Sequence, residues 1–275
     1  MAEERMDAIR KKQLEMLELF ISICEQLELT WYCVCGTALG AVKYGGYIPW
    51  DDDVDVALPR PDYDKFLEKA AEMLPEYIFL QNFRTDPEFP HEFSKLRNSN
   101  TAQIEADVEH LRMHHGIYID VFPLDGYPRG KFEQVKFELQ KKVLSWKQYC
   151  YIKNSPRLVN RIRNFVFRLM GYHKRTAQTM LQKENLYRKY PLEQSEYWCN
   201  HGNWQNQLEY ANRTQYGNGK TAFFEGIPVV IPEKYDEYLT KKYGDWRADP
   251  SEEKRKSHHN LVVVDAARSY KDNTK

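Results

Sequence analysis

The sequence predicts a mixed α/β (α+β) fold, and three stretches carry that prediction. Near the N-terminus Ile9, Met16, Leu17, Phe20, Cys24 and Leu27 recur at helical spacing. Val54, Val56 and Leu58 then alternate with Asp53, Asp55 and Ala57, the period of a short strand with one buried face. From Lys131 onward the helical period returns. Phe132, Val135, Leu139, Val143, Trp146 and Cys150 form one stripe, and Leu158, Ile162, Phe165, Val166 and Leu169 a second that stops near Gly171.

Between these stretches the elements follow in order. Trp31 to Cys35 reads as a strand ended by Gly36. Pro59 stops the Val54 strand, and Pro61 and Asp62 suit the first turn of a helix carrying Tyr63, Phe66, Leu67, Ala70 and Leu74. Further strands are expected at Tyr77 to Leu80, Phe93 to Arg97, Thr101 to Ile104 and Gly116 to Phe122. A late strand pair, Thr221 to Phe224 and Ile227 to Ile231, turns at Glu225-Gly226 and leads into a helix from Pro232 to Tyr243. The expected organisation is a catalytic core over residues 1–130, a basic helical insert over 131–200, and a C-terminal strand pair and helix over 201–275 that completes the site.

Composition narrows the function. The 40 Lys and Arg offset the 40 Asp and Glu, so net charge gives no case for nucleic-acid binding. Yet Leu139 to Lys183 holds eleven basic residues and no acidic one, a basic module inside a neutral chain. The charged start MAEERMDAIRKKQ lacks the apolar region of a signal peptide, and Glu15, Glu18, Glu25 and Glu28 interrupt the next apolar stretch, so a cytoplasmic location is expected. The cysteines, Cys24, Cys33, Cys35, Cys150 and Cys199, contain no C-x-x-C pair and read as reduced core thiols.

The chemistry concentrates in GTALGAVKYGGYIPWDDDVDVAL, Gly36 to Leu58. Asp53 and Asp55, two apart on a strand, project from one face, where they repel unless a cation lies between them. Mg²⁺, or Mn²⁺ in its place, suits a few carboxylate oxygens plus substrate phosphate. Gly36-Thr37 gives a small-residue turn at which backbone N–H groups can approach a phosphate. An EF-hand is excluded because Val56 stands where the loop needs Gly, Pro59 at its ninth position and Asp62 at its twelfth. A third carboxylate, Asp120 in GIYIDVFPLDG, either completes the metal site, takes an acceptor's proton, or pairs with a lysine at the sheet edge. GNGKT at Gly217 to Thr221 fails as a phosphate-binding loop because Thr214 replaces the leading Gly. The adjacent pairs His114-His115 and His258-His259 lack the i, i+4 spacing of a helical metal pair.

GTALGAVKYGGYIPWDDDVDVALPRPDYDKF, FSKLRNSNT, GIYIDVFPLDG and IPEKYDEYLTKKYGDW together resemble the LicD family, from Gly36 to about His259. Its bacterial members include phosphorylcholine transferases, and fukutin and fukutin-related protein are relatives that transfer ribitol phosphate. The resemblance implies a nucleotidyltransferase-like mixed sheet in which Asp53 and Asp55 hold Mg²⁺ after the Gly36-Thr37 turn, with Asp120 the candidate third ligand. It implies CDP-choline as donor and a sugar hydroxyl of a lipopolysaccharide, teichoic acid or lipid-linked glycan precursor as acceptor. Another CDP-linked alditol phosphate, ribitol or glycerol phosphate, is the alternative donor group, and a non-catalytic glycan-binding protein the alternative class.

On that reading Asp52 belongs to the binding run, and the inserted loop KYGGYIPW, with Lys43 and Trp50, closes on the nucleotide or acceptor or serves as a packed surface turn. Lys95 and Arg97, on one face of their strand, neutralise the leaving CMP or form an exposed basic face. His258 is carried as a site candidate from the family's late histidine. The basic module, with Arg157, Arg161 and Arg168 among apolar residues, either lies on the inner face of an anionic membrane or packs on the core with its cations solvated.

Overall fold

The computed structural model describes residues 2–152, 158–202, 209–255, 257 and 259–273. The first helix, α1 (Ala2–Gln26), is followed by β1 (Tyr32–Cys33), α2 (Cys35–Lys43), β2 (Asp55–Pro59) and α3 (Arg60–Met73). Strands β3 (Ile78–Gln81), β4 (Ser94–Asn98), β5 (Ala102–Glu105) and β6 (Ile117–Gly126) come next. Helices α4 (Lys131–Ile152), α5 (Leu158–Leu169) and α6 (Thr176–Tyr187) precede β7 (Tyr197–Cys199) and β8 (Tyr210–Asn212). The chain continues with α7 (Arg213–Tyr216), the hairpin β9 (Lys220–Phe224) and β10 (Ile227–Ile231), α8 (Tyr235–Tyr243) and β11 (Leu261–Asp265).

The main sheet runs β1-β2-β6-β4-β3, with β7 and β8 added along the far end of β6. Only β2 and β6 are parallel among these pairs, so the sheet is mixed as expected. β7 lies within residues 131–200, so that segment contributes to the sheet as well as to the helical insert. β6 is the central strand and is buried along its whole length, as its run of Ile117, Ile119, Val121 and Leu124 requires. Helix α1 packs Ile9, Met16, Leu17, Phe20 and Cys24 into the core, each almost fully buried. Burying such a side chain contributes about 1.5–3 kcal/mol, and Phe20 meets Trp31 edge-on at 5.5 Å. All five cysteines are buried thiols, and burial pushes Cys24, Cys33 and Cys199 above the usual thiol range.

The hairpin turn is the one the residues require. Glu225 and Gly226 have φ of +51° and +81°, and β9 and β10 pair from Phe224–Ile227 outward. The hairpin's tip holds the loop after α2: Glu225 N–H donates to the Gly45 carbonyl at 2.9 Å, and Glu225 Oε1 accepts from Tyr47 N–H at 3.1 Å. A Cβ on Gly46 would overlap the Glu225 carboxylate, which is why glycine stands there.

Three local expectations are corrected. The first strand shrinks to Tyr32–Cys33, because Cys35 takes φ +53° and starts α2. Gly36 and Thr37 are therefore the first turn of a helix and not a loop turn. Asp53 lies just before β2 and not within it, although the chain there is still tied to β6 by Asp120 N–H donating to the Val54 carbonyl at 2.8 Å.

The apolar stripes of α4 and α5 are also turned the other way. Phe132, Val135 and Leu139 are exposed, while Phe137, Lys141 and Gln148 of the same helix are buried. On α5, Leu158, Ile162, Phe165, Val166 and Leu169 all face solvent, whereas Asn164 is buried. Periodicity identified the helices; Cys150 of the α4 stripe is buried, and of the two alternatives for the α5 stripe, packing on the core is not the one found.

Candidate active site

β2 and β6 run in parallel with Asp55 opposite Asp120, and β4 pairs antiparallel to β6 with Lys95 opposite the same Asp120. Residues paired in this way project from one face of the sheet, so Asp55, Asp120 and Lys95 form a row across three strands. Asp53 lies two residues before Asp55 on the same side. These groups floor a cavity of about 610 Å³. Gly36 and Trp50, Glu92 and Glu105, Lys141 and Gln148, and Lys242 and His259 are among its walls.

The acidic run is held rigidly from behind. The Arg10 guanidinium of α1 donates to the carbonyls of Ile48, Pro49 and Asp51 at 2.8–3.1 Å, and Gln13 Nε2 donates to the Asp52 carbonyl at 2.8 Å. Thr37 Oγ1 accepts the Asp55 N–H at 2.8 Å, so the start of α2 fixes the start of β2. Thr37 is buried there and does not line the cavity. At Gly36 a Cβ would come within 2.4 Å of Asp51 Oδ2, so glycine lets that carboxylate close onto the helix start.

Among the described residues, the Asp55 carboxylate has no hydrogen bond or ion pair, and burial, then Asp53 and Asp120, push it well above the usual carboxylate range. Asp51 is pushed up to about 8 by burial and by Asp53 and Asp52. Asp120 is also raised by burial, opposed by Lys95, whose Nζ lies 2.9 Å from Asp120 Oδ1. The pairing of Asp120 with a lysine, one of the three alternatives, is thus present.

Among the described residues no group of three or more His, Cys, Asp or Glu side chains is arranged to enclose a metal ion. The donor chemistry nevertheless fits a hard cation, since Asp53 and Asp55 offer only oxygen, sit on one side, and leave the Asp55 carboxylate unpartnered.

The remaining candidates divide. Lys43 and Trp50 reach the cavity, and Lys43 Nζ is 2.7 Å from Oδ1 of Asp249, another lining residue. Asp52 does not reach it; this carboxylate is 1% exposed and lies behind the site, where it accepts from His259 Nδ1 at 2.9 Å. Arg97, proposed to meet the leaving group, is 1% exposed and does not line the cavity. Its guanidinium donates to the Gln81 side chain and to the Gly116 carbonyl and stacks 4.6 Å from the Tyr118 ring centre, so it is held on the same sheet face beside the floor and not in the cavity. His258 falls outside the described residues.

Sequence reasoning missed several groups. His259 stands at the mouth of the acidic run; burial lowers its pKa, but the hydrogen bond to Asp52 and the charges of Asp53 and Glu105 carry it up to about 10. Half-buried Glu105 accepts from the Tyr118 hydroxyl at 2.9 Å, and Lys95, His259 and Arg97 overcome its desolvation to hold it at about 2. Lys242 of α8 is ion-paired with buried Glu209 and lies 3.3 Å from Cys35 Sγ. The wall from α4 and α6 carries Lys183, paired with Glu92 at 2.7 Å, and Lys141. Lys141 is 2% exposed, and its Nζ meets only the His201 ring at 3.1 Å among the described polar groups. Burial lowers both Lys141 and His201. The lysine at the buried helical position 141 was the available signal, because it lies between Phe137 and Gln148 on the inward face.

Residues 28–155 match the family described as LicD/FKTN/FKRP, nucleotidyltransferase domain. The chain carries a LicD-family domain. That match spans the α2 start, the acidic run, β4, β6 and all of α4, so every group of the cavity floor lies within it. Over 271 residues the chain is also 27% identical to the lipopolysaccharide cholinephosphotransferase LicD of Haemophilus influenzae, covering 91% of this chain and 96% of that protein. The similarity therefore extends past the family domain into the α5–α8 region that supplies Lys183 and Lys242.

Proposed function

We propose that this LicD-family transferase moves phosphorylcholine from CDP-choline to a sugar hydroxyl of a cell-surface glycan of the lipopolysaccharide type. The observation that carries the reading is the cavity floor, where Asp53, Asp55 and Asp120 stand beside Lys95 on one face of the sheet. The name of the similar Haemophilus influenzae protein supports the choline group and the acceptor class.

The reaction is an in-line displacement at the phosphorus bearing choline. The acceptor oxygen forms the new P–O bond, the bond to the bridging pyrophosphate oxygen breaks, and CMP departs with the electron pair. Asp53 and Asp55 would hold Mg²⁺, which would neutralise charge on the pyrophosphate oxygens. Asp120 would either complete that metal site or, raised above the usual carboxylate range, take the hydroxyl proton. Lys95, and Lys141 across the cavity, supply positive charge to the phosphates and the leaving CMP. Lys141 suits this role because no described acid lies within ion-pairing distance of it.

The test is CMP release from CDP-choline, CDP-ribitol or CDP-glycerol with Mg²⁺ and either lipopolysaccharide or a teichoic acid extract. Release from CDP-choline with lipopolysaccharide is expected. Release from CDP-ribitol or CDP-glycerol alone would replace the choline assignment, and no release from any pair would remove the transferase reading.

A further inference from the structure

Helix α5 is amphipathic in reverse. Its inward side is polar: Asn164 Nδ2 donates to the Tyr149 carbonyl at 3.4 Å and Arg168 Nε to the Cys150 carbonyl at 2.5 Å, both on α4. Its outward side is apolar, with Leu158 68%, Val159 78%, Ile162 56%, Phe165 62% and Leu169 71% exposed. At 3.6 residues per turn these positions make one continuous stripe, with Arg161 along one edge and Arg163 along the other. A stripe of this size left in water marks an interaction surface.

We propose that α5 lies in the plane of an anionic lipid bilayer, its apolar stripe among the acyl chains and its flanking arginines at the headgroups. An apolar centre edged by cations is the pattern of an interfacial helix. Charge supports the same occupant, since Leu139 to Lys183 contains eleven bases and no acid. A second copy is disfavoured, because a two-fold interface through this face would bring the same arginines together. The location gives the docking a use: α4, which α5 rests on, lines the cavity with Lys141, Ser145, Gln148 and Tyr149. A bilayer under α5 would place that wall beside acceptors anchored in lipid.

The full chain is sedimented with vesicles of 70% phosphatidylcholine and 30% phosphatidylglycerol, and with phosphatidylcholine alone, at low and physiological salt. Binding to the anionic vesicles is expected, weaker at higher salt and weaker on the neutral ones. Ile162→Ser with Phe165→Ser should reduce it at least tenfold, while melting temperature and turnover of soluble donor stay unchanged because both side chains already face water. Arg161→Gln with Lys174→Gln and Arg175→Gln should reduce it about a hundredfold at low salt, at roughly fivefold per exposed base. Three outcomes would overturn the proposal: no binding of the parent at low salt, equal binding by the serine variant, or equal binding to both vesicle types. A concentration-dependent dimer that the serine variant abolishes, without lipid binding, would assign the face to a second copy instead.

Discussion

The floor of the cavity and its α4–α5 wall obey opposite rules. In the floor, strands β2 and β6 put apolar residues behind the sheet and acids in front, with Lys95 of β4 beside them, as period-two alternation predicts. In the wall, helix α4 turns Lys141 and Gln148 inward and Phe132, Val135 and Leu139 outward. A hydrophobic period identifies the type of element; which face is buried depends on what the other side is for. Where the interior is a polar cavity and the exterior another apolar phase, the stripe reverses.

The sharpest way to break this contrast is to remove one charge from each side. Asp55→Asn should lower turnover about 10²–10³-fold or more, because it removes an oxygen charge placed to hold the metal. The fold should be no less stable, since Asp55 is buried beside other carboxylates without a described partner. Turnover and melting temperature are measured on the same preparation, and turnover near that of the parent would take Asp55 out of the site.

The wall lysines should separate next. Lys183→Met leaves the buried Glu92 carboxylate without its cation and should destabilise the protein by about 3–5 kcal/mol in denaturant unfolding. Lys141→Met removes a buried cation that has no described acidic partner, so stability should hold or rise. Its cost should fall on the donor instead, with about a tenfold or greater weakening of CDP-choline binding, roughly the 1.5–3 kcal/mol of a charged contact. Equal destabilisation by the two variants would mean that Lys141 is a structural residue and not a ligand-facing one.

The smallest effect concerns the other edge of the floor. His114 is buried, stacked on Phe79 at 5.1 Å, and burial with Arg97 pushes its pKa down to about 3. An unfolded histidine takes its proton near 6.5, so the unfolded chain binds more protons between those values. Stability from this source is complete above about pH 6.5 and falls as pH drops toward 3, by about 1.4 kcal/mol per pH unit. His114→Gln should flatten that part of the profile in denaturant midpoints measured from pH 7 to 4; an unchanged slope would place the titration elsewhere.

Much of the floor was legible in the sequence because local rules determine it. Asp53, Asp55 and Asp120 sit at strand-like spacing among Val and Ile, and the Glu225-Gly226 turn needs the positive φ that it has. What was not legible depends on contacts distant in sequence. Asp52 looked like part of the binding run, but its role is set by His259, 207 residues away. Arg97 shares a strand face with Lys95, yet Gln81 and Gly116 hold it out of the cavity. Arg10 and Gln13 appear in the sequence as polar positions of a helix and become the clamp on the acidic loop only after α1 folds across it.

The central claim is that the acidic floor carries out phosphoryl transfer from CDP-choline. The most direct measurement follows choline label from CDP-choline into lipopolysaccharide, with CMP quantified in parallel, for the parent and for Asp53→Asn and Asp55→Asn. The account predicts one CMP per choline incorporated by the parent, and loss of both products in each variant while the melting temperature is maintained. Choline incorporation by either folded variant at the parent's rate would contradict it.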